Sequence, residues 1–190
     1  MLGALLIQMI LFGPAPQVAM AESTPAAPAA TEADPYLVIS AVQITGGTGH
    51  TQEDFIELYN PTSAPLDLNG YRLVKRTAAG TTDTTVQAWS DAKVVLPYHF
   101  FLWANSNYSA IASTPDATSS ATLADNNGVA LRYGGNDTGE IIDSVAWGST
   151  SNGFHFVSSV NPAANKSLVR ENLLEGDDSF SIVLSNPRNS

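Results

Sequence analysis

Three carboxylates fall within five residues, Glu53, Asp54 and Glu57, and a pair of carboxylates is the minimum equipment for acid–base work on a glycoside. The local alternation argues for a different use. Glu57 lies on the same strand face as Phe55 and Tyr59, so it is expected to be partly buried and to accept hydrogen bonds from backbone or arginine. Asp143, within IIDSVAW, faces as Val145 and Trp147 do, and is expected to satisfy a neighbouring loop. The histidines, His50, His99 and His155, are far apart and lack metal-ligand spacing. No G-x-S-x-G elbow is present, and the serines fall mostly in predicted loops, so no hydrolytic triad is expected. Two oxygen-rich turns, GNDTGE at 135–140 and EGDD at 175–178, are candidate Ca²⁺ loops, though neither has EF-hand spacing. No other cofactor is expected.

The remaining candidates are aromatic. Trp103 and Trp147 fall in strands and are expected in the core. Trp89, Tyr108, Phe154, His155 and Phe156 fall in or beside loops, where exposed rings would favour binding a partner. The Phe-His-Phe triplet sits in an otherwise Ser/Asn/Gly-rich stretch at 148–162, which makes that loop the first candidate surface.

The chain carrying these residues has 190 residues, no cysteine, and a formal charge of −10 from 18 acidic and 8 basic side chains. Few cations argue against nucleic acid, whose phosphates are neutralised by Lys and Arg, and against an anionic membrane surface. The absence of cysteine removes disulfides, thiolate zinc sites and thiol nucleophiles, so the core alone must hold the fold.

Residues 2–12 form an apolar run broken only by Gln8, too short to span a bilayer but of the length of a signal-peptide core. Ala19-Met20-Ala21 fits the small-x-small cleavage pattern, although no Lys or Arg precedes the run. Residues 1–21 are therefore read as a signal peptide, which places the mature protein at the cell surface or outside the cell. The segment 22–35, ESTPAAPAATEADP, has the composition of a solvated linker. The folded domain is expected over 36–190.

From Tyr36 onward the hydrophobic period is two. FIELY at 55–59 is a strand ended by Asn60-Pro61. Leu66 and Leu68 alternate around Asp67, Asn69-Gly70 is a turn, and 71–74 is the next strand. Further strands are read at 94–96, 100–104, 129–133, 141–147, 167–170 and 180–184, with a long hairpin loop at 134–137. The Ser/Thr/Ala-rich segment 110–122 is read as a loop. Many short strands with frequent turns indicate a β-sandwich or barrel.

The ordered series of motifs resembles the lamin tail domain family, an immunoglobulin-like β-sandwich that also occurs in exported bacterial proteins. LVISAV at 37–42, DFIELYNP at 54–61, LDLNGYRL at 66–73, LPYHFFLWA at 96–104, IIDSVAWG at 141–148, SLVR at 167–170 and NPRN at 186–189 carry it. The resemblance implies an all-β, immunoglobulin-like sandwich over 36–190. It implies structural roles for Glu57, Asn60, Pro61, Gly70, Asp143, Gly148 and Arg170. Two departures stand out. The family usually has Pro-Gly before the strand at 100–104, where this chain has Pro97-Tyr98. Its C-terminal motif usually has Pro-Gly, where this chain has Pro187-Arg188. The implied function is a non-catalytic interaction or scaffolding module for a protein or surface polymer. The alternatives are a hydrolase or hydrolase-accessory domain with an acidic loop-built site, and a structural envelope or matrix module.

Overall fold

Alternating side chains build two antiparallel-dominated sheets whose apolar faces meet. The computed structural model describes residues 36–109, 114–173 and 178–190; the signal peptide and linker expected over 1–35 lie outside the described residues. One sheet has six strands in the order β13 (Phe180–Leu184), β12 (Lys166–Arg170), β1 (Val38–Gln43), β2 (Phe55–Tyr59), β7 (Phe100–Asn105) and β8 (Ala117–Ser119). The other has five, in the order β11 (Phe156–Ser158), β10 (Glu140–Trp147), β9 (Asn127–Tyr133), β4 (Tyr71–Thr77) and β5 (Thr84–Ala88). A short pair, β3 (Leu66–Asp67) with β6 (Val94–Val95), closes one end. The expected all-β sandwich is present.

Ile39, Ile56, Leu58, Phe101 and Trp103 of the first sheet pack against Leu73, Val129, Leu131, Val145 and Trp147 of the second. Each contributes roughly 2 kcal/mol by leaving water. The two buried tryptophans also need an acceptor for their indole N–H. Trp103 donates to Ser119 Oγ at 3.1 Å and Trp147 to the Ala124 carbonyl at 2.9 Å.

The strands read at 55–59 and 180–184 have the expected bounds, while 71–74 extends to Thr77. The segment 110–122 is not wholly loop. Ala117–Ser119 forms β8, parallel to β7, and Ser119 Oγ donates to the Val86 carbonyl of β5 at 2.6 Å. That pairing is tertiary, and a Ser/Thr/Ala stretch carries no apolar alternation to announce it.

Turn geometry explains several motif residues. Asn60 is buried, donating to the carbonyls of Ala64 (2.8 Å), Val95 (3.0 Å) and Leu96 (3.1 Å). Gly148 has φ 72°, and a Cβ there would lie 2.1 Å from Asn161 Oδ1, so only glycine fits. Leu96-Pro97-Tyr98-His99 is a turn closed by His99 N–H to the Leu96 carbonyl at 3.2 Å, with Tyr98 at φ 59°. That is the type II pattern, Pro second and a left-handed residue third. Tyr98 therefore holds a glycine's conformation at the position where the family usually has glycine. Tyr98→Gly is expected to raise stability by roughly 0.5–1 kcal/mol, the relief of left-handed strain less glycine's extra unfolded-state entropy. Urea unfolding of the two proteins measures it; an unchanged or lower midpoint contradicts the strain.

Candidate functional site

The buried carboxylates are the starting point, because each needs a reason to be out of water. Glu57 has no exposed surface, on the outer face of the six-stranded sheet. It accepts from Ser40 Oγ (2.7 Å), from the Arg188 backbone N–H (2.6 Å) and from Arg188 Nη2 (2.8 Å). Residues 185–190 thereby cross that face as a strap. Asn189 donates to the Thr114 carbonyl (3.0 Å) beyond it, and the Arg188 guanidinium stacks 3.7 Å from the Phe100 ring centroid. The expectation that Glu57 accepts from backbone or arginine holds, and the arginine occupies the second Pro-Gly departure.

Asp143 does more than satisfy a loop. The β1–β12 pairing begins at Ala41, next to a register shift in the β1–β2 ladder, so Ile39 lies beyond the paired stretch on the β12 side. Asp143 Oδ2, from the opposite sheet, accepts the Ile39 N–H at 2.6 Å and Arg170 Nη2 at 2.7 Å. Arg170, 2% exposed in its side chain, also donates to the Ile39 carbonyl (3.1 Å) and Asp178 (3.1 Å). Burial raises the Asp143 pKa, and the Arg170 charge opposes that rise. The loop assignment is therefore corrected: Asp143 ties β10 to β1 and β12 across the sandwich.

A third network was not legible in the sequence. Asp83 accepts from Arg76 Nε (2.5 Å) and Arg132 Nε (2.8 Å) on the outer face of the five-stranded sheet. The Arg76 guanidinium lies 4.3 Å from the Phe154 ring centroid. Phe154 is buried there, against Val74, Ala130 and Ala146. It seats because position 128 is glycine: a Cβ would lie 2.7 Å from the ring. The expectation of an exposed Phe154 is thus overturned. Trp89 is also buried, edge-on to Phe101 at 5.5 Å, and offers no binding face. Tyr108 is half-buried against Phe55, centroids 6.2 Å apart.

His155 and Phe156 do reach the surface, Phe156 half exposed at 50%. His155 stands at a polar cleft of about 270 Å³ between β10 and the ends of β1 and β12, lined also by Tyr36, Ile141, Asp143, Arg170 and Asp178. His155 Nε2 is 3.8 Å from Asp178 Oδ2. The structure therefore brings together three separately singled-out residues, Asp143, His155 and Arg170, and leaves Trp89 and Tyr108 elsewhere.

The other titratable cluster does not form a relay. Glu53 Oε1 is shared by His50 Nδ1 (2.8 Å) and Ser109 Oγ (3.0 Å), placing the acid between serine and imidazole. A hydrolytic triad places the imidazole in the middle. In the first acidic turn, Asn136 Oδ1 accepts from Arg72 and Thr85, both at 2.7 Å. Asp137 Oδ1 accepts the Asp83 N–H at 2.5 Å. Those oxygens serve the fold. Of the second turn only Asp178 is described, and it pairs with Arg170. Among the described residues no group of three or more His, Asp or Glu can hold a metal.

The family model of the Lamin Tail Domain matches residues 30–149, more than half of the chain. The chain belongs to this family of immunoglobulin-like, non-catalytic domains. No curated protein matches it in sequence.

Asp54 makes a pH prediction. It is fully buried; Oδ2 accepts the Leu123 N–H at 2.8 Å, while Oδ1 has no partner among the described residues. Burial pushes its pKa from 3.8 to about 7, against the Leu123 hydrogen bond and the Lys75 charge. The folded carboxyl thus keeps a proton that the unfolded chain releases near pH 4. Its contribution to stability falls as pH rises from about 4 to about 7, by about 1.4 kcal/mol per pH unit, and levels off above. Asp54→Asn should remove that slope. Urea unfolding of both proteins across this range should show the variant gaining on the native protein; parallel curves would refute the buried proton.

Proposed function

We propose that this chain is a secreted or cell-surface interaction module that meets a protein or surface polymer at the mouth of the cleft between β10 and the ends of β1 and β12, without chemistry of its own. The observation that carries the reading is exposed His155 at the wall of a cleft whose carboxylate and guanidinium are already paired to each other, with half-exposed Phe156 next to it in the chain. A half-exposed aromatic beside fixed charges is how recognition surfaces combine burial with orientation. A hydrolase reading needs two titratable groups poised for proton transfer. Here Asp143, whose pKa burial raises, is locked by Arg170 and two backbone N–H groups. Four of the five arginines clamp buried carboxylates, which leaves few cations for a polyanion and supports a partner other than nucleic acid. The extracellular setting rests on the apolar run at 2–12 and on the small-x-small pattern of Ala19-Met20-Ala21.

The test is capture of partners from the producing cells by the full chain and by a variant combining His155→Ser and Phe156→Ser, with mass spectrometry of what is retained. The variant should keep its circular dichroism and lose at least about tenfold in affinity for any specific partner, the worth of one exposed aromatic anchor. Identical retention by both proteins would discard this surface. Hydrolysis of a broad substrate panel, abolished by Asp143→Asn in a folded protein, would establish the hydrolase instead.

A further inference from the structure

The sandwich is sealed along one side and open along the other. On the sealed side β8 lies against β5, and Ser119 Oγ takes the outward Val86 carbonyl. On the open side the six-stranded sheet ends at β13, which pairs only with β12 among the described residues. Its sequence, Phe-Ser-Ile-Val-Leu, has no charge, no proline and no bulge, the devices by which sheet edges are normally blunted.

The hydrogen-bond register shows what this edge presents. Glu171 N–H donates to Ser179 O, and Ser185 N–H to Asn165 O. Carried along the antiparallel register, Ser181 and Val183 spend their backbone groups on β12. The N–H and C=O of Phe180, Ile182 and Leu184 therefore point outward along the free edge. The side chains of the same three residues share the core-facing side, where Phe180 and Ile182 pack on the core. Leu184 has no such cover and is 74% exposed, the most exposed large apolar side chain among the described residues.

We propose that β13 pairs antiparallel with β13 of a second copy, about a twofold axis through Ile182, joining two six-stranded sheets into one. The strand is self-complementary in that register. Ile182 faces Ile182 of the second copy as a hydrogen-bonded pair, and Leu184 of each copy lies beside Phe180 of the other, gaining the apolar cover it lacks. Charge permits it: although the chain carries −10, no charged residue lies within Phe180–Leu184, and continuing the register sets Asp178 opposite Asn186. The interface adjoins the recognition surface proposed above, because Asp178, at the end of this register, also lines that cleft beside His155.

Sedimentation equilibrium of the full chain from micromolar to millimolar concentration should show a monomer–dimer equilibrium. Leu184→Lys, at an exposed site, should move it to monomer with an unchanged dichroism spectrum. Ile182→Pro removes an outward N–H together with part of the side chain that packs on the core, so with its fold checked by dichroism it should do the same. The native chain has no cysteine, so Ile182→Cys should cross-link to itself on oxidation, while Val160→Cys, exposed at 62% elsewhere, should not. A native chain that stays monomeric throughout, a dimer indifferent to Leu184→Lys, or a dimer that Ile182→Cys fails to cross-link would each overturn the proposal.

Discussion

A carboxylate taken out of water costs several kcal/mol unless a cation goes with it, and this sandwich buries Glu57 and Asp83 and mostly covers Asp143, each met by arginine. Glu57 is met by Arg188, Asp143 by Arg170, and Asp83 by Arg76 and Arg132 together. Three of those guanidiniums also stack on an aromatic ring: Arg76 on Phe154, Arg170 on Phe180 and Arg188 on Phe100. Each ion pair thus fixes a segment that backbone pairing alone would leave loose. Arg188 straps residues 185–190 over the outer face, Asp143 joins the two sheets where β1 runs past its pairing with β12, and Asp83 gathers the outer face of the five-stranded sheet. An acidic chain with few cations has assigned most of its arginines to these positions.

That assignment shapes what the surface can do. The carboxylate and guanidinium of the cleft between β10 and the ends of β1 and β12 are paired to each other, and exposed His155 stands at its wall with Phe156 next in the chain. A preorganised rim of this kind suits recognition, since little ordering is left to be done on binding. On the proposed reading, the same pairing commits Asp143 to Arg170 and not to proton transfer.

Much of the fold was legible in the sequence because alternation and turn chemistry speak locally. Phe55–Tyr59 reads as a strand from its own five residues, and Asn60-Pro61 as its end. The strands β5 and β8 were not legible, since Thr84–Ala88 and Ala117–Ser119 are short, Thr-, Ser- and Ala-rich edge segments with little apolar alternation, although their partners β4 and β7 lie close by in the chain. The site was legible only in parts. Glu57 was readable as a buried acceptor, but its partner Arg188 is 131 residues distant and no local pattern links them. Phe154 was misread as exposed because its seat is made by a missing side chain, at Gly128, on another strand. The Pro187-Arg188 and Pro97-Tyr98 departures were the available clues. One marks an added clamp and the other a strained turn.

The account rests most heavily on Asp143 and Arg170 acting as one structural unit across the two sheets. A double-mutant cycle with Asp143→Ala, Arg170→Ala and both together, followed by urea unfolding, measures that directly. Each single change should cost about 3–5 kcal/mol by stranding a buried charge, and the double variant should cost much less than their sum, leaving a coupling of at least about 2 kcal/mol. Additive losses, with no coupling, would show that the two residues do not depend on each other and would contradict the account.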